Sequence, residues 1–183
     1  MSNTSPNTLN YYVGKGIISF KKSGDSSYRD LGNVTVFEFQ PEITLLDHYS
    51  SRTGVKTKDD SVVTEKAGKL NMTLEEWTLP NLQLALMGGP IEDSSSADSG
   101  VFEIFASNQI TGAVRFVGTN DQGPRFQIDL PKVQFVPGKS INPISEAWGS
   151  LELVGNVLVD SNNSFGTMQE IRPGQDNVDV SPG

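Results

Sequence analysis

Between Lys69 and Glu75 polar and apolar side chains alternate without a break, with Leu70, Met72 and Leu74 set against Lys69, Asn71, Thr73 and Glu75. Successive residues of a strand point to opposite faces, so this pattern requires one buried and one wet face. It is incompatible with an amphipathic helix, whose apolar residues recur every three or four positions. The whole segment Val62–Glu76 reads as one strand, and the same period recurs along the chain. Val13–Phe20 reads as a first strand and Lys21–Asp30, rich in Ser, Gly and Asp, as a polar turn. Val34–Phe39 alternates again, and Pro41 interrupts before Ile43–Tyr49, because proline inside a strand run marks an end, an edge or a bulge. The second half carries Val101–Ala106, Ala113–Thr119, Arg125–Val136 and Ser150–Asp160, with Phe126, Ile128 and Leu130 on one parity of the third. Gly155 suggests a bulge in the last of these.

One segment departs from this period. Leu79, Leu82 and Leu86 in Thr78–Met87 recur at helical spacing; Thr78 can serve as N-cap, Pro80 fits a first turn and Gly88 can close the end. Eight or nine strands and one short helix at about 78–87 predict a mainly β chain, an antiparallel sandwich or barrel. Its organisation reads as a flexible arm over residues 1–10, a single domain over 11–170 and a polar tail over 171–183. Gly88–Gly100 reads as a mobile acidic loop and the polar stretch at about 50–61 as a long extended loop. The first residues lack a basic start and an apolar core, so no signal peptide is expected. No apolar run is long enough for a transmembrane helix.

Charge narrows the function. The net charge is −8, yet Ser50–Leu70 carries Arg52, Lys56, Lys58, Lys66 and Lys69 against Asp59, Asp60 and Glu65, a local +2 on a remainder of −10. Gripping nucleic acid by its phosphates requires clustered Lys and Arg, which the remainder lacks. One basic segment on an acidic body suits complementary contacts between copies.

The search for reaction chemistry is negative. With no cysteine, disulfides, thiol catalysis and Cys-ligated zinc are excluded, and a single histidine excludes a His-rich metal site. His48 and Asp47 are adjacent in a strand and so face apart. No serine sits in a nucleophile elbow, and Gly14–Gly16 is too short for a phosphate loop. Glu75 and Glu76 cannot converge as a glycosidase pair would. Asp59 and Asp60 lack the ligand spacing of a calcium loop. Trp77 and Trp148 offer stacking platforms for a sugar, although Trp77 at a strand–helix junction more often packs a core. The expectation is a non-enzyme without catalytic, cofactor or metal-binding residues.

The run Leu45–Gly88 resembles the tail tube (major tail) protein of long-tailed, non-contractile bacteriophages. The resemblance rests on the stretch His48–Asp59, then Val62–Lys66, then the alternating strand ending Leu74–Gly88. Leu31-Gly32-Asn33-Val34 upstream, and Ile128–Val133 and Trp148–Leu153 downstream, resemble that family's other strands. The resemblance implies a tail-tube fold whose copies form hexameric rings, with strands of every copy joined in a continuous barrel. Rings stack through an extended loop, and viral DNA passes through the lumen without specific binding. It implies tape-measure, tail-tip and terminator proteins as partners, no membrane, and a place in the virion tail after assembly in the bacterial cytoplasm. Ser51, Arg52, Thr53, Val55, Lys56, Lys58, Asp59 and Asp60 are the expected contact residues between subunits or rings, and an acidic lining would keep the duplex sliding. Two alternatives stand beside this. One is the tube protein of a contractile injection, secretion or bacteriocin apparatus; the other is a carbohydrate-binding β-sandwich using Trp77 and Trp148.

Overall fold

The computed structural model describes residues 5–52, 54–92, 100–138 and 140–171. The tail beyond 171, the first four residues, most of the acidic loop and Thr53 lie outside that set. Among the described residues the chain is mainly β: β1 (Gly16–Lys22), β2 (Arg29–Asp30), β3 (Val34–Ser50), β4 (Thr57–Leu74), β5 (Ile110–Gly118), β6 (Arg125–Val136), β7 (Leu151–Val157) and β8 (Thr167–Ile171), with one short α-helix, α1 (Leu79–Ala85), and a 3-10 turn at Thr8–Asn10. Every strand pairing is antiparallel, in one sheet of order β2-β1-β5-β6-β7-β4-β3, with β8 against the first half of β6. Among the described residues, no helix is long and apolar enough to cross a membrane.

The connection between the two outermost strands forces this sheet to curl. Only Leu31, Gly32 and Asn33 separate β2 from β3, a reach of about 15 Å. A flat sheet would hold the first and last of seven strands about 29 Å apart. The aromatic rings record the curl directly. Phe37 of β3 stacks on Phe116 of β5 with centroids 5.2 Å apart, although three strands lie between β3 and β5 in the sheet. The concave face closes over a core of Leu70, Met72 and Leu74 from β4, Leu151, Leu153 and Val157 from β7, and Val133 and Phe135 from β6, with Phe20 of β1 edge-on to Phe135. The alternation that marks β4 in the sequence is thus the alternation of core and outer face.

Four expectations are corrected. Pro41 does not divide its strand: β3 runs unbroken for 17 residues. It is the outermost strand, and half of its backbone donors face no neighbouring strand, so a residue without N–H is tolerated there. The extended loop expected at 50–61 is instead the end of a hairpin, with Thr57–Asp60 already in β4. Val101–Ala106 forms no strand, only a bridge from Val101 to Glu92. Phe105 takes φ +57, and the segment serves the end of α1, the Phe105 and Ser107 amides donating to the Leu86 and Met87 carbonyls at 3.0 Å each. Gly155 is not a bulge; it sits in register between Leu70 and Phe135, where an added Cβ would lie 2.6 Å from the Val133 side chain.

The helix lies where its spacing places it. Thr78 has N-cap backbone angles, but its hydroxyl makes no capping bond, and Pro80 occupies the first turn. At the other end Met87, not Gly88, takes the left-handed conformation at φ +50. The Gly88 amide then donates to the Gln83 carbonyl at 2.8 Å, the longer bond of a Schellman closure.

Asn81 ties this helix to the connection that closes the sheet. It is 1% exposed; its amide nitrogen donates to the Leu31 and Glu76 carbonyls at 3.1 and 3.0 Å, and its oxygen accepts from Arg29 at 2.7 Å. Asn81→Leu would strand two carbonyls and a guanidinium together, for an expected loss of about 3 kcal/mol. Urea unfolding reads this directly, and an unchanged midpoint would show that the Leu31–Asn33 connection holds without it.

Candidate assembly surface

Strands β3 and β4 form a hairpin that outruns the sheet. β4 meets β7 only from Gly68 to Leu74, so 42–50 of β3 and 57–67 of β4 pair only with each other, although Val63–Lys66 at the base share a pocket with Val159, Asn163 and Phe165. At about 3.3 Å per residue this arm projects roughly 30 Å. The chain turns over Ser51–Lys56, with Gly54 at φ +80.

Cross-strand partners share a face of such a ribbon, so the register gives the composition of each side. Leu45 opposes Val63 on one face, with Ile43 opposite Lys66 and Tyr49 opposite Lys58; Leu46 opposes Val62 on the other. These apolar side chains stand in solvent: Ile43 and Leu46 are 62% exposed, Leu45 52% and Val62 53%. A two-stranded ribbon with apolar pairs on both faces is at best marginal in water alone. The outer edge of β3 adds a row of backbone groups with no strand beside it, the feature through which sheets recruit other chains.

The charged residues expected to meet other copies divide into two groups. Lys58 is held by Asp47 at 2.6 Å and Asp59 by His48 at 2.6 Å, while Asp60 accepts the Ser61 amide at 2.8 Å. These three are engaged within the arm, where exposed ion pairs contribute about 0–1 kcal/mol. His48 thus faces Asp59, on the opposite face from Asp47, as strand geometry requires. Ser51, Arg52, Val55 and Lys56 lie exposed at the tip; Thr53 falls outside the described residues. The apolar pairs Leu45–Val63 and Leu46–Val62 are the part of the surface that charge-based reading misses. The available signal was two adjacent leucines facing two adjacent valines, since consecutive apolar residues in a strand must occupy both faces.

At the other end of β4 lies a second surface. Glu75 and Trp77 follow Leu74 directly, and with Asn142, Ser145 and Trp148 they line a pocket of about 320 Å³. Trp77 is half-buried and packs against the core, but its indole N–H is buried without an acceptor. Trp148 and Ile144 are each 95% exposed.

The outer face of the sheet is polar. Rows across β3, β4, β7 and β6 read Gln40–Lys69–Asn156–Gln134 and Glu38–Asn71–Val154–Val136, the second turning apolar over β7 and β6, with Val36 and Glu152 on either side of Thr73 and Arg115 bound to Asp129 at 2.6 Å between β5 and β6. Among the described residues, no group of three or more His, Cys, Asp or Glu is placed to hold a metal ion.

A family described as "Protein of unknown function UCP028589" matches residues 11–100, a segment that contains the whole hairpin and the helix. No curated protein matches the chain.

Proposed function

We propose that this chain is the structural subunit of a bacteriophage tail tube, in which hexameric rings stack into a hollow conduit for viral DNA. The observation that carries the reading is the arm. A ribbon projecting roughly 30 Å with apolar pairs on both faces needs cover on both sides, and identical neighbours in a ring or stack supply it. The free edge of β3 supports the same reading, because joining edges between copies removes them. The resemblance of Leu45–Gly88 to tail tube proteins selects the tube among possible assemblies. In this reading the chain performs no catalysis, resides in the virion tail after assembly in the host cytoplasm, and works with tape-measure, tail-tip and terminator proteins.

The polar outer face of the sheet is then the surface for the lumen. Glu38, Glu42 and Glu152 stand on its β3, β4 and β7 part, where Lys69 is held by Glu42 at 2.8 Å, so that part offers few cations to trap phosphates; Lys21 and Arg115 share the face toward β1 and β5. Electron microscopy of the concentrated, purified protein tests both points. The expected result is six-fold rings or hollow tubes with this face inward; a protein that forms neither, or a tube with a basic lumen, overturns the reading. The carbohydrate-binding reading draws on one observation, that Trp77 and Trp148 share a pocket. A flat tryptophan fluorescence response across a glycan panel would dispose of it.

A further inference from the structure

We infer that the arm tip of one copy seats in the Trp77–Trp148 pocket of the next copy along the tube, making the axial contact head-to-tail. The inference rests on the tube reading for its second copy; the pocket as receiver is argued from the fold.

Distance comes first. β4 runs 18 residues from Thr57 beside the tip to Leu74 beside the pocket, roughly 55 Å of strand. Tip and pocket of one molecule therefore stand at opposite ends, and only another copy can bring them together. Chemistry comes second. The tip presents Val55, 70% exposed, between the exposed cations Arg52 and Lys56. The pocket end presents Trp148 and Ile144 among the exposed carboxylates Glu75, Glu76 and Glu146. Apolar surface meets apolar surface, and cations meet carboxylates, the complementarity that selects one partner over another.

An apolar groove elsewhere is the competing receiver. It is formed by Phe37, Phe116, Phe126, Ile128 and Met168, and the one charged side chain in its lining is Lys15. Lys15 is paired with Asp121 at 2.7 Å there, so that lining offers a cationic tip no carboxylate, whereas the Glu75 end does. A contact between two different surfaces is heterologous, and repetition along an axis extends it into an open filament instead of closing it. That is the symmetry a stacked tube requires.

The chain has no cysteine, so an engineered pair supplies the only thiols. Val55→Cys with Ile144→Cys, oxidised mildly after assembly, is expected to give a ladder of covalent multimers on non-reducing gels, while neither single variant gives more than dimers. Val55→Cys with Met168→Cys is the control and is expected to give no ladder. Tubes visible by microscopy with no ladder from the first pair, or with a ladder from the control, overturn the docking and leave the tube reading intact. A parent protein that forms neither rings nor tubes overturns both.

Discussion

Leu45→Ser combined with Leu46→Ser is expected to leave a folded monomer that no longer assembles. Both side chains are more than half exposed in the lone chain, so the monomer loses little buried area and its melting temperature should move by no more than a few degrees. The two leucines occupy opposite faces of the arm, and each opposes a valine, Val63 and Val62. If neighbouring copies cover both faces, each leucine contributes about 2 kcal/mol to association. Losing about 4 kcal/mol raises the concentration needed for assembly about a thousandfold.

Sedimentation velocity and microscopy on the same samples read the result, with circular dichroism confirming the fold. Leu45→Met with Leu46→Met keeps apolar area on both faces and should assemble near the parent concentration. That variant separates loss of apolar contact from mere disturbance of the hairpin. Tubes from the double serine variant at an unchanged concentration would remove the arm from the assembly contact. The paired charges along the arm's strands are not expected to matter as much, since Lys58 and Asp59 already bind Asp47 and His48.

Where one face of a strand is buried, the sequence alone made it legible. Leu70, Met72 and Leu74 mark β4, and Arg125–Val136 was read with the bounds that β6 has. The helix was legible from its leucine spacing and end signals, although Leu79, Leu82 and Leu86 are only partly buried and its buried side is Asn81, Leu84 and Ala85. The arm was legible only in part: Ile43–Tyr49 and Val62–Lys66 read as strand, but its far end did not, because strands covered on neither face are under no pressure to alternate. Asp59 and Asp60 therefore fall in the polar stretch expected as loop, and the adjacent Leu45 and Leu46 break the alternation inside Ile43–Tyr49. Pro41 misled because the rule against strand proline applies to strands paired on both sides, and β3 is paired on one. β8 was missed for a similar reason: four of its five residues are exposed, so its place is set by backbone pairing with β6 and not by apolar side chains. Val101–Ala106 failed in the opposite direction: Val101, Ile104 and Phe105 stand exposed, and the segment meets the end of α1 through backbone hydrogen bonds without forming a ladder. For the candidate site, the basic segment was found from charge, whereas its apolar pairs and the distant Trp148 pocket depend on register and on the direction of β4.

The second large effect lies in the core and should dissociate cleanly from the first. Phe135 is 1% exposed, edge-on to Phe20 at 5.2 Å, and its strand is paired to Ile110 of β5 on one side and to Gly155 of β7 on the other. With both flanks fixed by the ladder, the sheet cannot collapse into the space left by Phe135→Ala, so the loss should approach about 3–5 kcal/mol. For a chain of this size that is a melting temperature lower by about 10–15 °C. The arm is untouched, however, and assembly draws on folded molecules only, so mass action should return much of the stability once tubes form. The expected observation is a monomer of Phe135→Ala that melts far below the parent, and tubes of the same variant that melt close to parent tubes. The serine variant gives the converse, a parent-like monomer and no tubes. If Phe135→Ala failed to assemble at temperatures where its monomer is still folded, the arm would depend on the core for its shape, and the division of labour between a stable sheet and a projecting ribbon would have to be abandoned.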